Sequence, residues 1–138
     1  HVFAEGECLR KTFDPDFMLY HTMAVDEWGH MKGADSAEYA NAVAAVGHLI
    51  AARMPEWLEK GYQVVVTADH GMNNLGIHVG TEYAQREVAL YIFSDKVENG
   101  RFEENYISQL NVAPLVCKLM GVPATEGMKQ ELEIVFSK

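Results

Sequence analysis

The chain is short of thiols, of positive charge and of long apolar runs. Its two cysteines, Cys8 and Cys117, stand far apart and in no metal-type spacing. They read as two free, mostly buried thiols that mark no redox compartment. No apolar run approaches the roughly 20 residues that cross a bilayer, so no membrane segment is read in this chain. Lys and Arg number 11 against 20 Asp and Glu, a net charge of −9. That balance argues against a nucleic-acid-binding face. It leaves an anionic substrate open, because a bound divalent cation reverses the local field. Internal repeats, low-complexity stretches and interdomain linkers are also missing. So is an initiating methionine: the first residue is His1, which a processed protein or an excised piece of a longer one would explain.

What is present is a globular composition, 49% hydrophobic over 138 residues. That length suits a single domain with one core. The chain is organised around Val64-Val65-Val66-Thr67-Ala68-Asp69-His70-Gly71. A β-branched run followed at once by a carboxylate, an imidazole and a glycine reads as a buried strand that ends in a turn bearing two metal-capable groups.

The expected elements follow from pattern. Phe3, Cys8 and Leu9 would line one face of an ambiguous first segment, which Asp14-Pro15-Asp16 breaks. Phe17 to Val25, mostly apolar without strict alternation, reads as a strand buried on both faces. His21 within it reads as a hydrogen-bonded core or edge histidine. Asp35 or Ser36 would cap a helix whose apolar face is Tyr39, Val43, Val46, Ile50 and Met54. On that helix His48 reads as solvated or capped. Pro55 should kink or restart the helix, with Trp57 and Leu58 continuing its buried side to a stop at Lys60-Gly61. Strand, helix, strand at this spacing predicts a βαβ unit with parallel strands. A third strand is expected over Val88 to Phe93. A last helix starts near Asn111 with Pro114 in its first turn, buries Leu115, Val116 and Leu119, and stops at Gly121. A short strand is expected within Glu131 to Phe136. The fold class so read is α/β, a mostly parallel sheet with flanking helices.

In an open parallel sheet, ligands bind beyond the carboxyl ends of the strands. Asp26 and Asp69 would both stand there, at one edge. Each travels with an imidazole, His30 and His70, and His78 follows in a glycine-bearing loop. The candidate metal set is therefore Asp26, His30, Asp69, His70 and His78. Mixed nitrogen and oxygen donors suit zinc, and manganese or iron less specifically. Taken singly, each motif reads as a turn or a helix cap; together they point to a metal centre. Glu27 and Glu82 read as solvated. Trp28 reads equally as a crevice wall or a surface aromatic.

These residues resemble the alkaline phosphatase superfamily, and within it the type I phosphodiesterase/nucleotide pyrophosphatase branch. The matching pieces are Asp26-Glu27-Trp28-Gly29-His30 with Gly33, Thr67-Ala68-Asp69-His70-Gly71-Met72, and His78 with Gly80. Arg86 to Leu90 and Asn111 to Pro123 add weaker support. Val79 stands where many relatives have glycine, and Ala34 where the diesterases often have proline; both bear on the branch more than on the metals. The resemblance implies a partial alkaline-phosphatase-like fold and two divalent metal ions, zinc first, with manganese or iron as alternatives. One would be held by Asp26, His30 and His78. The other would take Asp69 and His70, with an aspartate and a Thr or Ser nucleophile that lie upstream in the family. On this reading residues 1–138 are the carboxyl-terminal portion of a larger metal-dependent phosphohydrolase catalytic domain. The substrate would be a small phosphate ester or nucleotide, cleaved at a phosphodiester or pyrophosphate bond, and the isolated chain would be inactive.

Three alternatives stand beside it. A cofactor-independent phosphoglycerate-mutase-like isomerase usually has Asn after Asp-His-Gly, where this chain has Met72. A phosphoethanolamine-type phosphotransferase would normally bring membrane segments. A non-catalytic α/β metal-binding module would keep a vestigial site or none.

Overall fold

Helix dominates the first sixty residues. The computed structural model describes residues 2–101, 106–128, 132 and 134–137. Helix α1 runs Val2–Phe13, α2 Ala24–Lys32, α3 Ala37–Ala51 and α4 Met54–Glu59. Strand β1 (Val64–Val66), helix α5 (Tyr83–Arg86), strand β2 (Tyr91–Phe93) and helix α6 (Val112–Met120) complete the order. Contacts divide the chain into two units, His1–Pro55 with Ala68–Val88, and Glu56–Thr67 with Ala89–Lys138.

In the first unit, α1 ends where the sequence requires. Asp14 takes a left-handed φ of 45° before Pro15, a conformation that Asp tolerates and that a helix cannot continue. The buried face of α1 differs from the expected one. It is Phe3, Gly6 and Arg10, while Leu9 and Cys8 are exposed. Arg10 is tolerated inside because Glu7 accepts hydrogen bonds from its Nε at 3.1 Å and its Nη2 at 3.0 Å, a charge-assisted fork. The hydroxyl of Tyr20 donates to the same carboxylate at 3.0 Å, and its ring stacks on Phe3.

Helix α3 begins as expected. The Ser36 hydroxyl accepts the Tyr39 amide at 3.1 Å, and α3 packs on α2. None of its side chains is fully buried; Val43 in particular is exposed. His48 is exposed. The helix restarts at α4 with Pro55 in the first turn, where no amide partner is lost.

The Phe17–Val25 run is not a strand. Residues 17–23 have no strand structure, and Phe17, Leu19 and Met23 are exposed. A strand exists only where a second one accepts its ladder. Among the described residues the one two-stranded sheet pairs β1 with β2, antiparallel, with Val65 opposite Ile92. The parallel βαβ arrangement is therefore absent from the described residues, and Asp26 lies in a helix rather than at a strand end. The description that holds is mixed helix with little strand.

The second unit carries the main apolar cluster. Leu115, Leu119 and Ile134 form its centre, with Val65, Leu90 and Ile92 against it. Trp57 is buried as expected, but Leu58 is exposed. Helix α6 follows a 3-10 turn at Gln109–Asn111, buries Pro114, Leu115 and Leu119, and ends at left-handed Gly121. Val116 is only half-buried. The last strand expectation falls partly outside the described residues; Val97 and Phe136 form an isolated antiparallel bridge. No helix among the described residues is long and apolar enough to cross a membrane.

Leu115 is fully buried, so Leu115→Ala is expected to cost about 2–5 kcal/mol, read by denaturant unfolding. Tyr20 offers a second check. Burial first, then the Glu7 carboxylate, pushes its pKa from 10.0 up to about 12. The folded state thus favours the protonated phenol. That contribution is complete below pH 10.0 and is lost as pH rises towards about 12. The near-ultraviolet difference titration of wild type minus Tyr20→Phe should have its midpoint near 12 when folded and fall to the ordinary tyrosine range in denaturant.

Candidate metal centre

All five candidate residues lie in the first unit. Helix α2 supplies Asp26 and His30, one turn apart and so on one face. Asp69 and His70 stand in the non-helical segment before Met72, and His78 in the loop before α5.

That loop is folded by Asn73. Its side-chain oxygen accepts the amides of Leu75 at 3.0 Å and Ile77 at 2.9 Å, an Asx-type turn. Its backbone carbonyl accepts the Ala34 amide at 3.2 Å. The turn brings Gly76 against α2. Gly76 has φ 72°, and a Cβ there would stand 2.7 Å from the His30 carbonyl oxygen. Both facts require glycine.

The Gly76 carbonyl then lies 2.7 Å from Nδ1 of His30. The Gly71 carbonyl lies 2.9 Å from Nδ1 of His70. A carbonyl oxygen only accepts, so Nδ1 carries the hydrogen in both rings, and in the neutral form Nε2 is left as a lone pair. Metal-ligating histidines are oriented by this same kind of contact.

The Nε2 atoms converge. Oδ1 of Asp26 lies 3.5 Å from that of His30, 3.7 Å from that of His70 and 4.0 Å from that of His78. None of these is a hydrogen bond, and Oδ1 is buried without a hydrogen-bond partner. His70 and His78 stack with ring centroids 3.7 Å apart. Donor atoms of Asp26, His70 and His78 all lie within 4.8 Å of one another. A tetrahedral cation with bonds of about 2.0–2.1 Å holds its ligand atoms about 3.3 Å apart. The donor types fit a small divalent cation, and the donors converge on one point with spacings somewhat wider than that cage.

The geometry groups the residues differently from the division implied by the family resemblance. The tightest trio is Asp26, His70 and His78, with His30 next to it. Asp69 is more peripheral: it is 63% exposed, with Oδ2 3.7 Å from Nε2 of His70. Two neighbours were not legible as site residues. His21 is exposed rather than a core histidine, and its Nε2 lies 3.7 Å from Oδ2 of Asp69. Gln85 is buried beneath the His78 loop. Glu82 and Glu27 are exposed, as expected, although Glu82 accepts from Asn73 Nδ2 at 3.3 Å. Trp28 lies on α2 at the margin of exposure.

Known proteins resemble this chain over most of its length. The type I phosphodiesterase/nucleotide pyrophosphatase family matches residues 3–117. The catalytic subunit of human GPI ethanolamine phosphate transferase 3 is 29% identical over 115 residues, 81% of this chain and 10% of its own length. The mouse protein of that name is 28% identical over 120 residues, 85% of this chain and 11% of its own. GPI ethanolamine phosphate transferase 2 of Debaryomyces hansenii is 25% identical over 121 residues, 78% of this chain and 14% of its own. The chain thus spans roughly a tenth of the length of these relatives. No solved structure matches it. The chain belongs to the type I phosphodiesterase/nucleotide pyrophosphatase family, of the alkaline phosphatase superfamily.

Proposed function

We propose that this chain carries most of the metal-binding side chains of an enzyme that transfers a phosphoester group, and that the group is ethanolamine phosphate. The observation that carries the reading is the buried Asp26 oxygen facing three imidazole nitrogens, two of them on rings anchored through Nδ1. The names of the matched relatives favour transfer to an acceptor over release to water.

The family division would give one divalent cation to Asp26, His30 and His78 and part of a second shell to Asp69 and His70. The spacing also sets His70 beside Asp26 and His78, so His70 would stand between the two shells. Zinc suits the nitrogen-rich donor set best, with manganese or iron as alternatives. Cations held there supply Lewis acidity for an in-line displacement at phosphorus, countering charge on the attacking and leaving oxygens. The five side chains need move no proton. Their work is to present lone pairs in fixed directions, which the Gly71 and Gly76 carbonyls enforce through Nδ1. On this reading the 138 residues are the carboxyl-terminal part of a larger catalytic domain, and the hydroxyl nucleophile and one further aspartate come from outside them. The short span relative to the matched proteins supports this. Hydrolysis of a phosphodiester or pyrophosphate is the second reading, favoured by the family description.

Zinc should stabilise the first unit, by about 2.7 kcal/mol at a free concentration a hundred times its dissociation constant. Asp26→Asn, which keeps the shape and removes the charge, is expected to abolish most of that shift. A thermal melt unchanged by zinc in the wild type would sink the metal reading. A second assay separates the two reactions. With p-nitrophenyl phosphoethanolamine as donor and glycerol as acceptor, a protein containing this chain should place ethanolamine phosphate on glycerol. Exclusive release of free phosphoethanolamine would favour hydrolysis instead. The 138 residues by themselves should turn over the donor slowly or not at all.

A further inference from the structure

We infer that Gln85 is a positioning residue for one of the metal-binding imidazoles, His78. This rests on the metal-centre reading above and adds a residue to it. Gln85 is 6% exposed, unusual for an uncharged amide on a four-residue helix at the surface. Its Nε2 donates to the carbonyls of Ile77 and Val79, both at 3.3 Å. Those are the two residues that flank His78, so a single amide group grips the chain on either side of that imidazole.

The other end of the side chain is also used. Oε1 accepts the Glu82 amide at 3.2 Å, which ties the grip to the start of α5. Gly80 leaves the space for it, since a Cβ there would collide with Oε1. The main chain of the same residue reaches a second imidazole. The Gln85 carbonyl accepts the Gly71 amide at 2.9 Å, and the Gly71 carbonyl in turn meets Nδ1 of His70. His70 and His78 stack on one another, and Gln85 is hydrogen-bonded to the backbone beside both.

An amide suits this place because it donates and accepts at once. Gln85→Glu keeps the length and an acceptor oxygen but turns a carboxylate towards two carbonyl oxygens. Gln85→Met keeps the length and removes both functions. Neither change touches the main-chain bond to Gly71, so the His78 side of the site is tested selectively.

Zinc binding to the purified protein, followed by calorimetry, is the test. Wild type should bind, and both variants should bind about 10–100-fold more weakly, the loss typical of residues that orient metal ligands. Circular dichroism and melting of the metal-free variants report folding separately, and a role confined to folding would lower the melting temperature without changing affinity in the folded range. Unchanged affinity in folded variants overturns the inference while leaving the metal reading intact. Absence of zinc binding in the wild type overturns both. Should the variants not fold, the wild type still decides. The Gln85 side-chain amide resonances should shift and exchange more slowly with solvent when zinc is added, and resonances indifferent to zinc would overturn the inference.

Discussion

A carboxylate oxygen that faces ring nitrogens, with no donor of its own, is the constraint on which the first unit depends. Oδ1 of Asp26 is in that position, and a buried acceptor left unpaired costs roughly 1–3 kcal/mol, more when charged. Nothing among the described residues relieves it by hydrogen bonding. The surrounding fold must therefore hold the arrangement without help from the site itself. It has little apolar material with which to do so. Of the described residues, Phe3 and Met72 are the buried hydrophobics of that unit.

Hydrogen bonding from the backbone does the holding. Asn73 folds the loop that returns Gly76 to α2, and Ala34 donates to the Asn73 carbonyl. The Asn73 side chain closes the loop, while main-chain bonds from Ala34 to Asn73 and from Gly71 to Gln85 tie it to the end of α2 and tie the Asp69–Met72 segment to α5. Rings anchored to main-chain carbonyls cannot turn away to find other partners. A set of donors preorganised in this way would lose less entropy on binding a cation.

The convergence of the candidate residues is more legible in the sequence than the fold around them. Asp26 and His30 read as the end of a strand and the loop beyond it, yet they lie on a helix. Four-residue spacing places two side chains on the same face of a helix, so the pairing survives the wrong secondary structure. The Phe17–Val25 run fails as a strand because burial on both faces is a property of neighbours, and no local pattern names the neighbour. The same applies to β1, whose partner β2 lies beyond a loop and a short helix. Where the cue is local, sequence and structure agree: Ser36 as a cap, Pro55 as a restart, Pro114 and Gly121 at the two ends of α6. Asn73 carries a usable signal, since asparagine before a glycine-bearing loop favours an Asx turn. Gln85 carries a partial one, since it stands at the third helical position after Glu82 and completes a capping box there, but its bonds to Ile77 and Val79 are set by how the loop closes; His21 carries none.

The chain's relatives and its family description name different overall reactions, transfer in one and hydrolysis in the other, and on the proposed metal reading one centre would serve both. Binding a cation and presenting it to phosphorus calls for lone pairs in fixed directions, a role that the proposed reading gives to Asp26, His30, His70 and His78, two of whose rings are anchored through Nδ1. Choosing between water and a larger hydroxyl calls for a surface that admits one and not the other. Among the described residues Asp69 is 63% and His30 45% exposed, so no described side chain of this chain closes over them. The ligand set by itself would not select an acceptor. Selection then rests on the groups that surround phosphorus when the acceptor arrives, and these are separable from the ligand set. The metal chemistry can therefore remain the same while the acceptor changes.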